Sequence, residues 1–345
     1  MHQRTAGAYV LEVSLFTLSS LLLYHVGIGL AFFLIPLQVV AARKGVRALL
    51  LSAGLFVAVF LALRLLPFGV ENVARSNRAA GGATRLDILA LVEMGAVLFI
   101  LCGMIAVNLA LLRRRRALHA LLAVSGLAGL VAVPFLLLLS RSREYSEAMG
   151  RLFSELSKAL LSVFTPGEGA GGSFLASFLD PTRLREMSRA ILARSLLADY
   201  FALLAFSWWA GQAAAARSLL RTGRIPFRFA EFRLEGFWLW PLIASWALVL
   251  VALFFGIGTW SWVGWNVGFV LLFLYGLQGM AIARFFFETR RLPRLPWLLL
   301  VIGVLILAAT PRTSLFVLVA VPGFGISENW IRYRVHRDAK PNGQS

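Results

Sequence analysis

Residues 87–112 read DILALVEMGAVLFILCGMIAVNLALL, and four consecutive arginines, Arg113 to Arg116, follow at once. Inside that run the only charges are Asp87, at its first position, and Glu93, and only Asn108 carries an amide. A hydrocarbon core of roughly 30 Å is crossed by about 20 apolar residues in a helix. The stretch therefore reads as a membrane span that stops on a basic cluster. The next run, 117–140, repeats the pattern without a single charged residue. The whole chain agrees: 345 residues, 59% hydrophobic, 14% charged, mean hydropathy +0.80. Two soluble domains of ordinary composition are excluded.

Working outward on the same ruler gives an all-α, polytopic transmembrane bundle, a single integral membrane domain over 1–345. About ten spans are expected: 8–24, 27–42, 46–66, 87–112, 117–140, 194–216, 237–256, 262–287, 296–310 and 313–331. Alternatives are eight or nine, because Ala8 to Ala42 is long for one crossing and tight for two. The split is placed at His25, Val26 and Gly27. The first apolar segment has only Arg4 before it and no cleavage pattern, so it is expected to be retained.

A net charge of +18 in so apolar a chain is an orientation signal. Lys and Arg accumulate in short cytoplasmic loops. With the N-terminus inside, 21 of the 34 bases fall on that side: Arg4 and clusters around Arg43, Arg113, Arg217 to Arg233, Arg284 to Arg294 and Arg332 to Lys340. Both termini are then cytoplasmic, and 335–345 is expected to be a disordered tail. Nucleic acid is not an expected partner, since no aromatic interleaving or RNA-binding motif accompanies the arginines; membrane lipid is.

Residues 141–194 are expected to form an outer helical hairpin, a lid or a connector resting on the headgroups. Tyr145, Met149, Leu152, Leu156, Leu160 and Val163 recur at helical spacing among charged residues. Thr165 to Ser173, with Pro166 and four glycines, breaks that helix. Asp180-Pro181 reads as the N-cap and first position of another.

Catalytic signatures are lacking. There is no phosphate-binding loop, no nucleophile elbow and no zinc-binding HExxH. One cysteine, Cys102, and four scattered histidines offer no metal set, so no enzyme activity, metal or cofactor is expected. Ionisable groups inside spans are then the functional candidates, because exposing one to lipid is costly. These are Glu12, Glu93, Asp199 and Glu328. Glu93 and Asp199 lie at similar depth in the outer half, and their convergence would make a cation or amine site. Simple pairing, Glu93 with Arg64, Asp199 with Arg194, Glu12 beside Arg4 and Glu328 beside Arg332, is the structural alternative. Among neutral polar residues, Asn108, Gln212, Asn266 and Gln278 suit hydrogen bonding between helices. The proposed binding set is Glu93, Asp199, Asn266 and Gln278, between spans four, six and eight and beneath the hairpin.

In the C-terminal half, Glu231 to Pro241 (EFRLEGFWLWP), Asn266, Gly276-Leu-Gln-Gly-Met-Ala281, Leu292-Pro293 and Pro322 to Arg334 with Gly325 and Trp330 resemble the YybS-like family. Its members are predicted bacterial membrane proteins with a domain of unknown function, number 2232. Near the N-terminus Pro36, Arg43, Gly45 and Ala48 look like its opening pattern. Leu234-Glu235 and Ser327-Glu328 depart from the pattern. That family is distantly similar to the S-components of energy-coupling-factor transporters and to the cell-shape protein MreD. The resemblance implies the bacterial inner membrane and two rival roles. One is a small-molecule binding or transport subunit needing an energising ATPase or coupling subunit. The other is an MreD-like scaffold for envelope or division machinery, without transport activity.

Overall fold

A computed structural model describes residues 2–26, 32–76, 88–113, 116–164, 179–221, 223, 227–310 and 312–334. Among these, eleven α-helices and two short 3-10 turns occur and no strand. The glycine stretch Thr165 to Ser173 and the tail 335–345 lie outside the described residues, as does Gly27 at the expected split. In lipid every backbone N–H and C=O must be satisfied by the protein itself, and a helix does this within its own segment.

Contacts divide the chain into two compact units, Met1–Pro226 and Phe227–Ser345. The first holds α1 (His2–His25), α2 (Leu34–Lys44), α3 (Val46–Ser76), α4 (Ile88–Leu112), α5 (Ala117–Ser140), α6 (Arg143–Phe164) and α7 (Pro181–Arg221). The second holds the turns Phe229–Glu231 and Gly236–Trp238, then α8 (Leu239–Phe254), α9 (Gly258–Thr289), α10 (Arg294–Ala309) and α11 (Ser314–Ser327).

Six segments are long and apolar enough to cross a membrane: Val46–Leu65, Ile88–Leu112, Ala117–Ser140, and stretches within Pro181–Arg221, Gly236–Phe254 and Trp260–Thr289. They match spans three to eight. Spans one, nine and ten coincide with shorter apolar helices, Tyr9–His25, Leu295–Ala308 and Ser314–Ser327. The expected second span is different in kind. At 1.5 Å per residue the eleven residues of α2 reach only about 16 Å, half a hydrocarbon core. Eight of them, including Leu34, Leu37, Gln38, Val40 and Ala41, are buried. Instead of facing lipid, α2 is enclosed, packed by α1, α3, α4 and α7. Its crossing with α7 is close: a Cβ on Gly211 would lie 2.4 Å from Cβ of Gln38.

The helical arms at 141–194 pack on each other. Ser157 Oγ donates to Leu179 O at 2.6 Å, and Arg185 Nη2 donates to Ser146 Oγ at 2.7 Å, so α6 and the start of α7 run antiparallel. Asp180 Oδ2 accepts the Arg183 N–H at 3.0 Å, and Pro181 opens the helix, as the Asp-Pro pair predicts.

In the second unit α9 is central, with Leu274, Tyr275, Ala281 and Ile282 almost fully buried. It reaches α8 through a turn at Gly256, whose φ of 69° suits glycine. Ile257 N–H reaches back to Ala252 O at 2.9 Å and closes the α8 end. Against α11, α9 comes closer than side chains permit. A Cβ on Gly279 would stand 2.2 Å from Val321 O, and one on Gly325 would stand 2.0 Å from Tyr275 O.

Candidate functional site

The first unit brings three polar side chains together from three helices. Tyr24 stands in the last turn of α1, Arg64 at the end of the apolar part of α3, and Glu93 in the second turn of α4. The Tyr24 hydroxyl and Arg64 Nη2 both donate to the same oxygen, Oε1 of Glu93. Oε2 has no partner among the described residues. The Nε of Arg64 is enclosed and likewise has no acceptor. Its guanidinium lies over the Phe60 ring at 6.0 Å. Phe60 stacks on Phe56, Phe56 on Phe33, and Tyr24 meets all three edge-on. The three phenylalanines are fully buried, whereas 39% of the Arg64 side chain and 36% of Glu93 remain accessible. The ion pair thus sits on an apolar aromatic wall with one side open.

Depth follows from helix arithmetic. Glu93 is twenty residues before Arg113 and Arg64 is seventeen after Arg47, so the pair stands about 26–30 Å from the basic ends of α4 and α3. That places it at the far edge of a core of roughly 30 Å. Asp199 on α7 is about 27 Å from Arg217 by the same measure, but it is exposed and accepts Ser195 Oγ at 2.7 Å. About 18 Å along α1 from Tyr24, Glu12 pairs with Arg43 at 2.7 Å and Lys44 at 3.1 Å. α2 returns its basic end to α1, and the Arg4 side chain, the expected neighbour, lies outside the described residues. Between the two levels Asn108 Nδ2 donates to Gln38 Oε1 at 3.1 Å and to Met104 O at 2.9 Å, joining α4 to α2.

The second unit contains a polar cluster that is closed. Glu328, expected beside Arg332, is paired instead with Arg334. Nε of Arg334 donates to Oε1 at 2.7 Å, and Nη2 donates to Oε2. Nη1 of Arg334 donates to Ala230 O and Phe232 O at 2.8 and 2.9 Å. Gln278 Nε2 donates to Glu328 Oε2 at 2.9 Å and Gly325 O at 3.0 Å, while its Oε1 accepts the Leu234 N–H at 2.9 Å. Only 9% of Arg334 and 2% of Glu328 is accessible. The 229–234 segment, α9, the end of α11 and the chain beyond it are pinned at one point. An acid read by itself does not show that Glu328 pairs with Arg334. The signal was present in the motif stretch Pro322 to Arg334.

The four expected binding residues are therefore distributed. Glu93 and Asp199 belong to the first unit, with separate partners; Asn266 and Gln278 belong to the second. Asn266 Nδ2 donates to Trp262 O at 2.9 Å, and it follows Trp265, whose ring packs with those of Trp246 and Phe269. Asn266 and Gln278 are twelve residues apart on one continuous helix, about 18 Å along its axis, beyond the reach of one small ligand. Among the described residues no group of three or more His, Cys, Asp or Glu is placed to hold a metal.

A helical bundle with six full-length apolar crossings and charged groups paired inside its helices defines a multi-pass integral membrane protein. The family described as "Predicted membrane protein (DUF2232)" matches residues 82–324, and the chain belongs to it. That match spans both units and covers most of the C-terminal motifs quoted above. No curated protein and no solved structure matches the chain.

Proposed function

We propose that the chain is a small-molecule binding or transport subunit of a bacterial cytoplasmic membrane, with both termini on the cytoplasmic side. Its ligand contacts centre on Tyr24, Arg64 and Glu93. The observation that carries this reading is the half-open ion pair: it stands at the edge of the membrane core on an aromatic wall, with hydrogen-bonding capacity unused. A pair built only to join helices would close on itself, as Glu328 and Arg334 do. Asp199, at a similar height on α7, is the second acid of this end. The chain has no nucleotide-binding motif, so transport would require an energising ATPase and a transmembrane coupling subunit.

The rival is an MreD-like scaffold for envelope or division machinery. It draws on the basic positions Arg217, Arg221, Arg228 and Arg233. Affinity purification of the tagged full-length chain from native membranes, followed by mass spectrometry, separates the two. Recovery of an ATP-binding cassette pair is the expected result. Recovery of cytoskeletal or cell-wall enzymes in its place overturns transport in favour of the scaffold.

A further inference from the structure

We infer that the Tyr24–Arg64–Glu93 group binds a small zwitterion, a ligand carrying a primary ammonium and an oxyanion close together. The inference rests on the reading of this site as a ligand site and names its ligand chemistry.

The argument is one of unused valence. A carboxylate has two oxygens and about four acceptor positions; a guanidinium has five N–H donors in a fixed fork. Here both donors meet at Oε1 of Glu93, which leaves Oε2 without a partner among the described residues. Arg64 uses Nη2 toward Glu93, while Nε is enclosed with no acceptor. An incoming oxyanion can meet Arg64 at the 39% of its side chain that remains accessible. The same group therefore offers a negative acceptor and a positive donor set side by side. Its net charge is zero. A bare cation gains Glu93 but meets Arg64; a bare anion gains Arg64 but meets Glu93. Only a ligand with both signs gains at both ends, its ammonium on Oε2 and its oxyanion on the guanidinium fork.

Two sources supply this chemistry at the membrane edge: a free amino-acid-like solute, and the ethanolamine headgroup of a phospholipid. The full-length chain, purified in maltoside micelles, is followed by its thermal unfolding midpoint. L-leucine carries both charges, L-leucine methyl ester only the ammonium, and N-acetyl-L-leucine only the carboxylate. A second arm adds phosphatidylethanolamine or phosphatidylglycerol to the micelles.

The expected result is a rise in midpoint with leucine, for a free solute, or with phosphatidylethanolamine, for a headgroup. The singly charged members of each arm give none. Glu93→Gln, checked for monodispersity, should need about tenfold or more of the active probe for the same shift. Arg64→Lys keeps the charge without the fork; it should weaken the response likewise and serves where Glu93→Gln fails to fold. An equal shift from the ester, the N-acetyl compound or phosphatidylglycerol overturns the inference, as does no shift from either zwitterion. Recovery of an ATP-binding cassette pair alongside such a result leaves the transport reading standing, so the two fail separately.

Discussion

The two units contain the same chemical device in opposite states. Each has an arginine–carboxylate pair joined by a third polar side chain, Tyr24 in one and Gln278 in the other. In the second unit every oxygen of Glu328 and every nitrogen of Arg334 has a partner, and the pair is buried. In the first, Oε2 of Glu93 has no partner among the described residues, Nε of Arg64 has no acceptor, and more than a third of each side chain is accessible. Saturation marks a joint that holds structure, and open valence marks a place where something else can bind. The sign of the charges alone does not separate these roles.

The comparison can be broken most directly at the closed pair. Glu328→Ala leaves Arg334 charged and buried, which should cost about 3–5 kcal/mol. Unfolding in mixed micelles with increasing dodecyl sulfate measures it, and a near-native curve would remove the structural role. Next in size is Gly325→Ala. Its added carbon meets the Tyr275 carbonyl, and overpacking of this kind costs about 1–3 kcal/mol. A smaller loss, about 1 kcal/mol, is expected for Asn108→Leu, which removes one interhelical hydrogen bond to Gln38. Glu93→Gln should be the mildest, under about 1 kcal/mol, because its pair is half-solvated. If Glu93→Gln and Glu328→Ala destabilise equally, the distinction between open and closed pairs fails.

Most of the long spans were legible, since runs such as 87–112 and 117–140 leave no alternative to a lipid-facing helix. Residues 27–42 were not, because hydropathy reports apolarity and is silent on what surrounds it. Lipid and neighbouring helices satisfy Leu34 to Ala42 equally well. The Arg64–Glu93 pairing was accessible to reasoning, as both residues fall at the same end of antiparallel neighbours. The partner of Glu328 was not. Spacing of four residues pairs side chains only along a helix, and α11 stops at Ser327, so the chain turns and delivers Arg334 instead of Arg332. Glu12 found Arg43 across a hairpin whose closure no local pattern encodes. The separation of Asn266 from Gln278 was legible all along, since twelve residues of unbroken helix fix it.

The short enclosed helix α2 also sets a timetable. Its glutamine, Gln38, meets Asn108 of α4 and the Gly211 surface of α7, segments synthesised 70 and 173 residues later. At about 5–20 residues per second, the first partner is made after roughly 4–14 s and the second after roughly 9–35 s. During that interval a buried helix too short to cross the bilayer has no completed enclosure. Until α7 is made, only α1, α3 and α4 are available to pack against α2. A ribosome arrested before Gly211 should display α2 to proteases or lipid-soluble reagents that the finished protein excludes.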